Sequence, residues 1–306
     1  MYKKAHLSGV IFASIFGLTF MFSKTALDFI TPIGLIAYRF LLAFFVFEAL
    51  RRFKLIRVRF KRSTMKALLL VALFQPVAYF LFETYGLHLT TSAEAGMMIA
   101  LIPIFVTILS TLILKEKPRL IQLLFIALSV AGVLLIQLFQ AFGALEPQFF
   151  GYILLLMAVL SAAAYNIASR YASKLGVTTS EVTYFMMLVG AILFNTLYLI
   201  ELGVNEGMTY YIRYLGNLEL LLPIVYLGVV GSIGGFFLLN YALSQLEAHV
   251  ISIYANIATI VAMTAGAVFL NEILEWHHYL GAAMILIGVY GTIRTNKKPK
   301  INPSML

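Results

Sequence analysis

The sequence predicts an all-α integral membrane protein of ten transmembrane helices, built as two five-helix repeats of inverted topology. Three observations predict it. Of 306 residues, 62% are hydrophobic and only 11% charged, whereas soluble domains carry about 25% charged residues. The apolar residues gather into ten runs, each near the roughly 20 residues that one bilayer crossing needs. The second half also repeats the first at an offset of 156: Tyr85 matches Tyr241, Leu114 matches Leu270, Glu116 matches Glu272, and Gly132-Val133 matches Gly288-Val289. Five spans per unit is an odd number, so the second unit enters the membrane upside down. Inverted repeats are a transporter architecture, with the site at the repeat interface near the midplane.

Span 1 (7–27) ends Phe22-Ser23-Lys24. It lacks the Ala-x-Ala exit of a signal peptide and completes the first unit, so it reads as a span. Span 2 (32–50) opens on Pro32, a helix-start signal. Span 3 (66–89) carries Gln75-Pro76 at its middle, where proline removes a helical hydrogen bond. Span 4 (91–114) contains Pro103 and ends at Leu114-Lys115-Glu116. Span 5 (119–140) is apolar with few polar groups.

Glu146 and Pro147 mark a turn between the units, which run 7–140 and 149–294. Span 6 (149–173) carries Tyr165-Asn166, and span 7 (179–203) carries Asn195. The loop 204–217 holds Tyr210-Tyr211, which fit an interfacial aromatic belt. Span 8 (218–243) has Gly231, Ser232, Gly234 and Gly235 where the offset places the break of span 3. Span 9 (246–270) bears a polar stripe. Span 10 (275–294) is as plain as span 5. Gly132 and Gly288 permit close packing there, as peripheral support or as a homodimer contact through spans 5 and 10.

A net charge of +9 would suggest a nucleic-acid partner in a soluble protein. The placement of the cations excludes that reading. Eight lie between Arg51 and Lys66, and nineteen fall on one side once the N-terminus is placed in the cytoplasm. The positive-inside rule then puts both termini in the cytoplasm of a multi-pass cell-membrane protein. The basic loop serves topology and contact with anionic lipid. There is no cysteine and no HExxH spacing, so neither a disulfide framework nor a metal site is expected. No phosphate-binding loop is present, and no cofactor is expected.

Phe22-Ser23-Lys24, Pro32 with Tyr38-Arg39, Tyr85-Gly86-Leu87 with Thr90 to Ala95, Pro103, and the Leu-x-Glu pairs Leu114-Lys115-Glu116 and Leu270-Asn271-Glu272 stand along the chain. Together they resemble the drug/metabolite transporter superfamily, EamA-like branch. The resemblance covers nearly the whole chain as two tandem units. It implies a ten-helix transporter, often an exporter of amino acids or other small metabolites.

Ionisable groups within a bilayer are costly and mark function or pairing. Lys24, Arg39, Glu83 and Glu94 cluster toward the outer third of the first unit, as an outer gate or as ion pairs that neutralise one another. Their counterparts in the second unit, Arg170, Asn240, Tyr241 and His249, are milder. The matched breaks at Gln75-Pro76 and Gly231 to Gly235 point to cavity lining or a hinge, with Pro103 a further hinge candidate. On span 9, Ser252, Asn256, Thr259 and Met263 fall on one helical face. Its counterpart on span 4 is Gly96, Ala100, Pro103 and Thr107. Thr107, Tyr165, Asn166 and the amphipathic Tyr79 join Gln75, Ser252, Asn256 and Thr259 as candidate cavity residues. The competing reading for each polar residue is helix packing.

These features predict a secondary carrier that exports a small metabolite such as an amino acid by alternating access. Phosphorylated cargo would need several deep cations, and only Arg39 is deep. A lipophilic-cation efflux carrier would rest on Glu83. A non-transporting sensor or assembly subunit is the third class. An intramembrane enzyme is disfavoured because Asp28, the sole aspartate, lies in a loop. Glu83, Glu94 and His249 are the proton-coupling candidates. None is central, which favours facilitated diffusion or exchange.

Overall fold

The computed structural model describes residues 2–90, 95, 98–99, 101–141, 149–205, 211, 217–269 and 275–295. Among these the chain is helical, without strands. Helix α1 spans Tyr2–Leu27 and α2 spans Pro32–Arg52. The Thr31 side chain caps α2 by accepting from Gly34 N at 3.2 Å, and Pro32 supplies a preset φ at the first position. Next come α3 (Met65–Ala72) and α4 (Tyr79–Leu89), joined by a wide turn over Leu73–Ala78. Within that turn Gln75 is extended (φ −152°, ψ 118°), since the proline after it disfavours a helical residue. Helix α5 (Ile102–Leu109) continues as a wide turn to Leu114, and α6 spans Leu120–Ala141.

The second half begins with α7 (Phe149–Lys174) and α8 (Thr179–Asn205). Helix α9 (Leu218–Val225) leads through a wide turn at Tyr226–Gly235 into α10 (Phe236–Gln245). Short α11 (Ala248–Ser252), α12 (Ala255–Phe269) and α13 (Trp276–Thr295) complete the described chain. Six of the described helical stretches are long and apolar enough to cross a membrane, with shorter apolar helices beside them.

The core lies where α1, α2, α7 and α8 meet the two broken helices. Helix α1 packs on α12 and on the α9–α10 segment; α7 packs on α5 and on the α3–α4 segment. Helix α2 packs on α8, and α6 lies against α13. Glycine makes the last contact possible. A Cβ on Gly288 would sit 2.5 Å from the Phe125 carbonyl oxygen, and one on Gly132 would sit 2.7 Å from that of Gly281. The two glycines are thus used within one chain. The outward sides of α6 and α13 remain apolar, with Leu124, Leu286, Ile287 and Tyr290 exposed.

Candidate functional site

A cavity lies among α1, α2, the Gln75 turn, α4, α5, α7, α10, α11 and α12. Its volume is about 90 Å³. Phe12, Phe16, Phe20, Phe80 and Phe236 give it aromatic walls. Six residues singled out from sequence face it: Arg39, Gln75, Tyr79, Glu83, Asn166 and Ser252.

Arg39 is 6% exposed and held on two sides. Its Nε donates to Ser232 Oγ at 2.7 Å, and its guanidinium carbon lies 4.5 Å from the centroid of the Phe80 ring. That stacking is a cation–π contact. Glu83 is 8% exposed and accepts from Thr84 Oγ1 at 3.2 Å. The two groups therefore line one cavity and act on each other electrostatically, while their direct hydrogen-bond partners differ. Asn166 Nδ2 donates to the Ala162 carbonyl at 2.8 Å, while its buried Oδ1 has no hydrogen-bond partner among the described residues. A buried acceptor left open beside a cavity is available to a ligand donor.

One end of the helix bundle is tied by Glu116, just beyond α5. Its backbone turns there because Lys115 adopts φ 57° and the Glu116 amide donates to the Ser110 carbonyl at 3.1 Å. Glu116 Oε1 receives Arg170 Nε at 3.0 Å and Lys174 Nζ at 3.1 Å; Oε2 receives the Ala248 amide at 2.9 Å. Arg170 also donates to the carbonyls of Leu243 and Ser244 at 2.9 and 3.0 Å. The end of α5 is thereby drawn together with α7, α10 and α11 around one carboxylate. Burial alone would raise the pKa of this carboxyl. The Ala248 amide, Arg170 and Lys174 outweigh that and hold it below the usual 4.5.

Comparison with known proteins gives the same architecture a family. The EamA-like transporter family matches at residues 3–138 and again at 149–294. The chain belongs to the EamA-like transporter family. This EamA-like chain is 36% identical to "Uncharacterized transporter YcxC" of Bacillus subtilis (strain 168), covering 97% of the chain and 95% of that relative. It is 23% identical to the "Probable amino-acid metabolite efflux pump" of Escherichia coli (strain K12), covering 95% of each. A solved crystal structure at 19% identity matches in fold with a TM-score of 0.77, covering 96% of both chains. The protein is thus a multi-span membrane transporter of this family.

The other described candidates of the EamA-like chain are not in the cavity lining. Tyr165 Oη donates to Asn240 Oδ1 at 2.8 Å, Ser169 Oγ donates to the same atom at 2.6 Å, and Asn240 reaches Thr183 at 3.2 Å. This network fastens α7, α8 and α10. Asn256 Nδ2 donates to Ser129 Oγ at 3.0 Å, joining α12 to α6. Thr107 bonds its own helix at the Pro103 carbonyl (2.6 Å), and both residues are buried. Thr259 is half-buried on α12, and Lys24 is exposed. Glu94 and the repeat motif Leu270–Glu272 lie outside the described residues.

Gly231 approaches Thr19 and Arg39, and Gly235 faces Phe16, where a Cβ would come within 2.4 Å of the ring. Gly234 is looser, its nearest contact 3.9 Å from Ile15. Tyr211 packs on Tyr38 and Tyr198 and bonds Asn195 at 2.6 Å, which places it against α2 and α8 rather than in an outward belt. The Leu-x-Glu motif alone does not reveal the Glu116 tie. The signal for it in sequence is a lone carboxylate at a helix end, with Arg170 and Lys174 at the facing end of another span.

Proposed function

We propose that this transporter is a secondary carrier exporting a small zwitterionic metabolite of amino-acid type by alternating access. The observation that carries this reading is Arg39 and Glu83 facing one aromatic cavity, within reach of each other's charge but not joined in a direct salt bridge among the described residues. A guanidinium suits a carboxylate and a carboxylate suits an ammonium, while the phenylalanine walls suit an apolar side chain. The name of the Escherichia coli relative supports the same cargo class.

Alternating access by two inverted five-helix units is supported by the packing. The contact of α1 with α12 has its counterpart in α7 with α5, and that of α1 with α9–α10 in α7 with α3–α4. The matched wide turns at Leu73–Ala78 and Tyr226–Gly235 are the natural hinges. With both termini cytoplasmic, the Glu116 tie closes the cytoplasmic end.

The test is counterflow of radiolabelled amino acids into proteoliposomes preloaded with an unlabelled panel. Saturable uptake that is lost in Arg39→Gln is expected. A second reading, lipophilic-cation efflux, is favoured by Glu83 among aromatic rings. It predicts that Arg39→Gln keeps or improves cation transport while Glu83→Gln abolishes it.

A further inference from the structure

His249 lies fully buried beside the Glu116 tie, at 0% exposure. Neither ring nitrogen has a hydrogen-bond partner among the described residues. Its Nε2 lies 3.6 Å from Glu247 Oε2, too far for a hydrogen bond. The charged groups that act on it are Glu116 from the end of α5 and Glu247 from its own connection, and Arg170 and Lys174 of α7 lie beyond, on the Glu116 carboxylate. Helix α10 contributes the carbonyls of Leu243 and Ser244, both already taken by Arg170.

A buried imidazole with two idle nitrogens is expensive to keep, since each unsatisfied buried group carries its full desolvation penalty. Leucine or phenylalanine would fill the space without that loss. The residue directly before it, Ala248, gives its amide to Glu116, so His249 sits immediately behind the tie. Parting Glu116 from Ala248 and Arg170 would admit water to this ring. Once wet, the imidazole can take a proton from solution. The imidazolium would then sit between Glu247 and the released Glu116, compensated by both.

We propose that His249 is a proton-binding site that is shut away when the Glu116 tie is closed and filled when it opens, so that acid on that side favours opening. The step is a single proton addition. One N–H bond forms on the ring, the proton comes from water on the tie side, and it returns there on closing. No other bond changes. The inference rests on the alternating-access reading for the meaning of opening, but its test needs no cargo.

The chain has no cysteine, so a reporter can be placed freely. Ala255→Cys puts a thiol on the cavity wall. Ser63→Cys gives an exposed reference thiol in the basic loop. The probe is a membrane-impermeant maleimide added to inside-out vesicles. The labelling rate of Ala255→Cys is divided by that of Ser63→Cys at each pH, which removes the ordinary pH dependence of thiol reactivity. An open-state imidazole near pKa 6.5 that is unprotonated when closed predicts about a tenfold rise in this ratio from pH 8 to 5.5. His249→Gln and His249→Phe should flatten the rise. Glu116→Gln should raise the ratio at every pH.

A ratio that is flat in the parent, or that rises equally in both His249 variants, overturns the proton site. An unchanged ratio in Glu116→Gln overturns the tie as a gate. Gel filtration in detergent identifies folded variants, and either His249 variant suffices. Failure of amino-acid counterflow with a pH-dependent ratio intact would sink the cargo reading and leave this one standing.

Discussion

Arg39 of α2 donates to Ser232 of the second wide turn at 2.7 Å, across 193 positions of chain. The hydrogen bond ties a deep cation to the broken helix of the opposite half. It fixes the guanidinium against Phe80 and leaves its other N–H groups for the cavity. Ser232→Ala should free that side chain without removing its charge. The expected result in counterflow is a KM raised about tenfold or more, with maximal rate nearly kept, since a hydrogen bond to a charged group contributes about 1.5–3 kcal/mol. Arg39→Gln should instead abolish transport of zwitterions. Equal losses in both variants would show that Ser232 does more than position Arg39.

Close packing of α6 on α13 makes a separate prediction about stability. Gly288→Ala would place a Cβ 2.5 Å from a backbone oxygen and 2.6 Å from Ser129 Cβ, and backbone cannot yield cheaply. The expected destabilisation is about 1–3 kcal/mol. A Cβ on Gly203 would meet nothing within 4 Å among the described residues, and this glycine lies in the last turn of α8. Gly203→Ala should therefore be neutral or stabilising by up to about 1 kcal/mol through helix propensity. Thermal unfolding of the purified protein in detergent separates the two, and a lower midpoint for Gly203→Ala would contradict the contact geometry.

Much of this fold was legible because bilayer chemistry leaves few options: long apolar runs become helices, and proline or clustered glycine interrupts them. Gln75-Pro76 and Gly231–Gly235 were readable for that reason. Side-chain destinations were harder. On one unbroken helix Ser252 and Asn256 would share a face, but α11 ends at Ser252 and α12 begins at Ala255, so Ser252 reaches the cavity while Asn256 reaches Ser129. Periodicity names a face but not which neighbour covers which turn of it. Tyr165 and Asn166 are adjacent, so at about 100° per residue they point to different helices, one to Asn240 and one to the cavity. Depth in separate spans suggests an outer gate for Arg39 and Glu83. Only the folded chain puts them in the lining of one cavity with Gln75 and Asn166.

The lowered pKa of Glu116 predicts how acid acts on the fold. A carboxylate whose folded pKa lies below its unfolded value contributes stability above the unfolded value, near 4.5. That contribution is lost as pH falls from there through the folded value. Wild-type thermal midpoints should thus hold above about pH 5 and drop below it. Glu116→Gln should start lower at about pH 7, by about 3–5 kcal/mol if the tie behaves as a buried pair, and lose less on acidification. Parallel curves for the two proteins would mean that other carboxylates dominate the acid limb.

Reversing the pair gives the sharpest test of what the tie is. If Glu116 and Arg170 only attracted each other as opposite charges, Glu116→Arg with Arg170→Glu would restore it. The surroundings predict otherwise. Oε2 of Glu116 accepts the Ala248 amide, a donor that an arginine cannot satisfy. Arg170 donates to the Leu243 and Ser244 carbonyls, which would repel a glutamate. Lys174, which shares Oε1 of Glu116 with Arg170, would face a new cation. The swap should therefore be as unstable as the worse single variant. A thiol introduced by Ala255→Cys should label as fast in the swap as in Glu116→Gln. Glu116→Asp, which keeps the polarity but shortens the reach, should recover part of both. Full rescue by the swap would reduce the tie to a simple ion pair and remove the backbone from the gate.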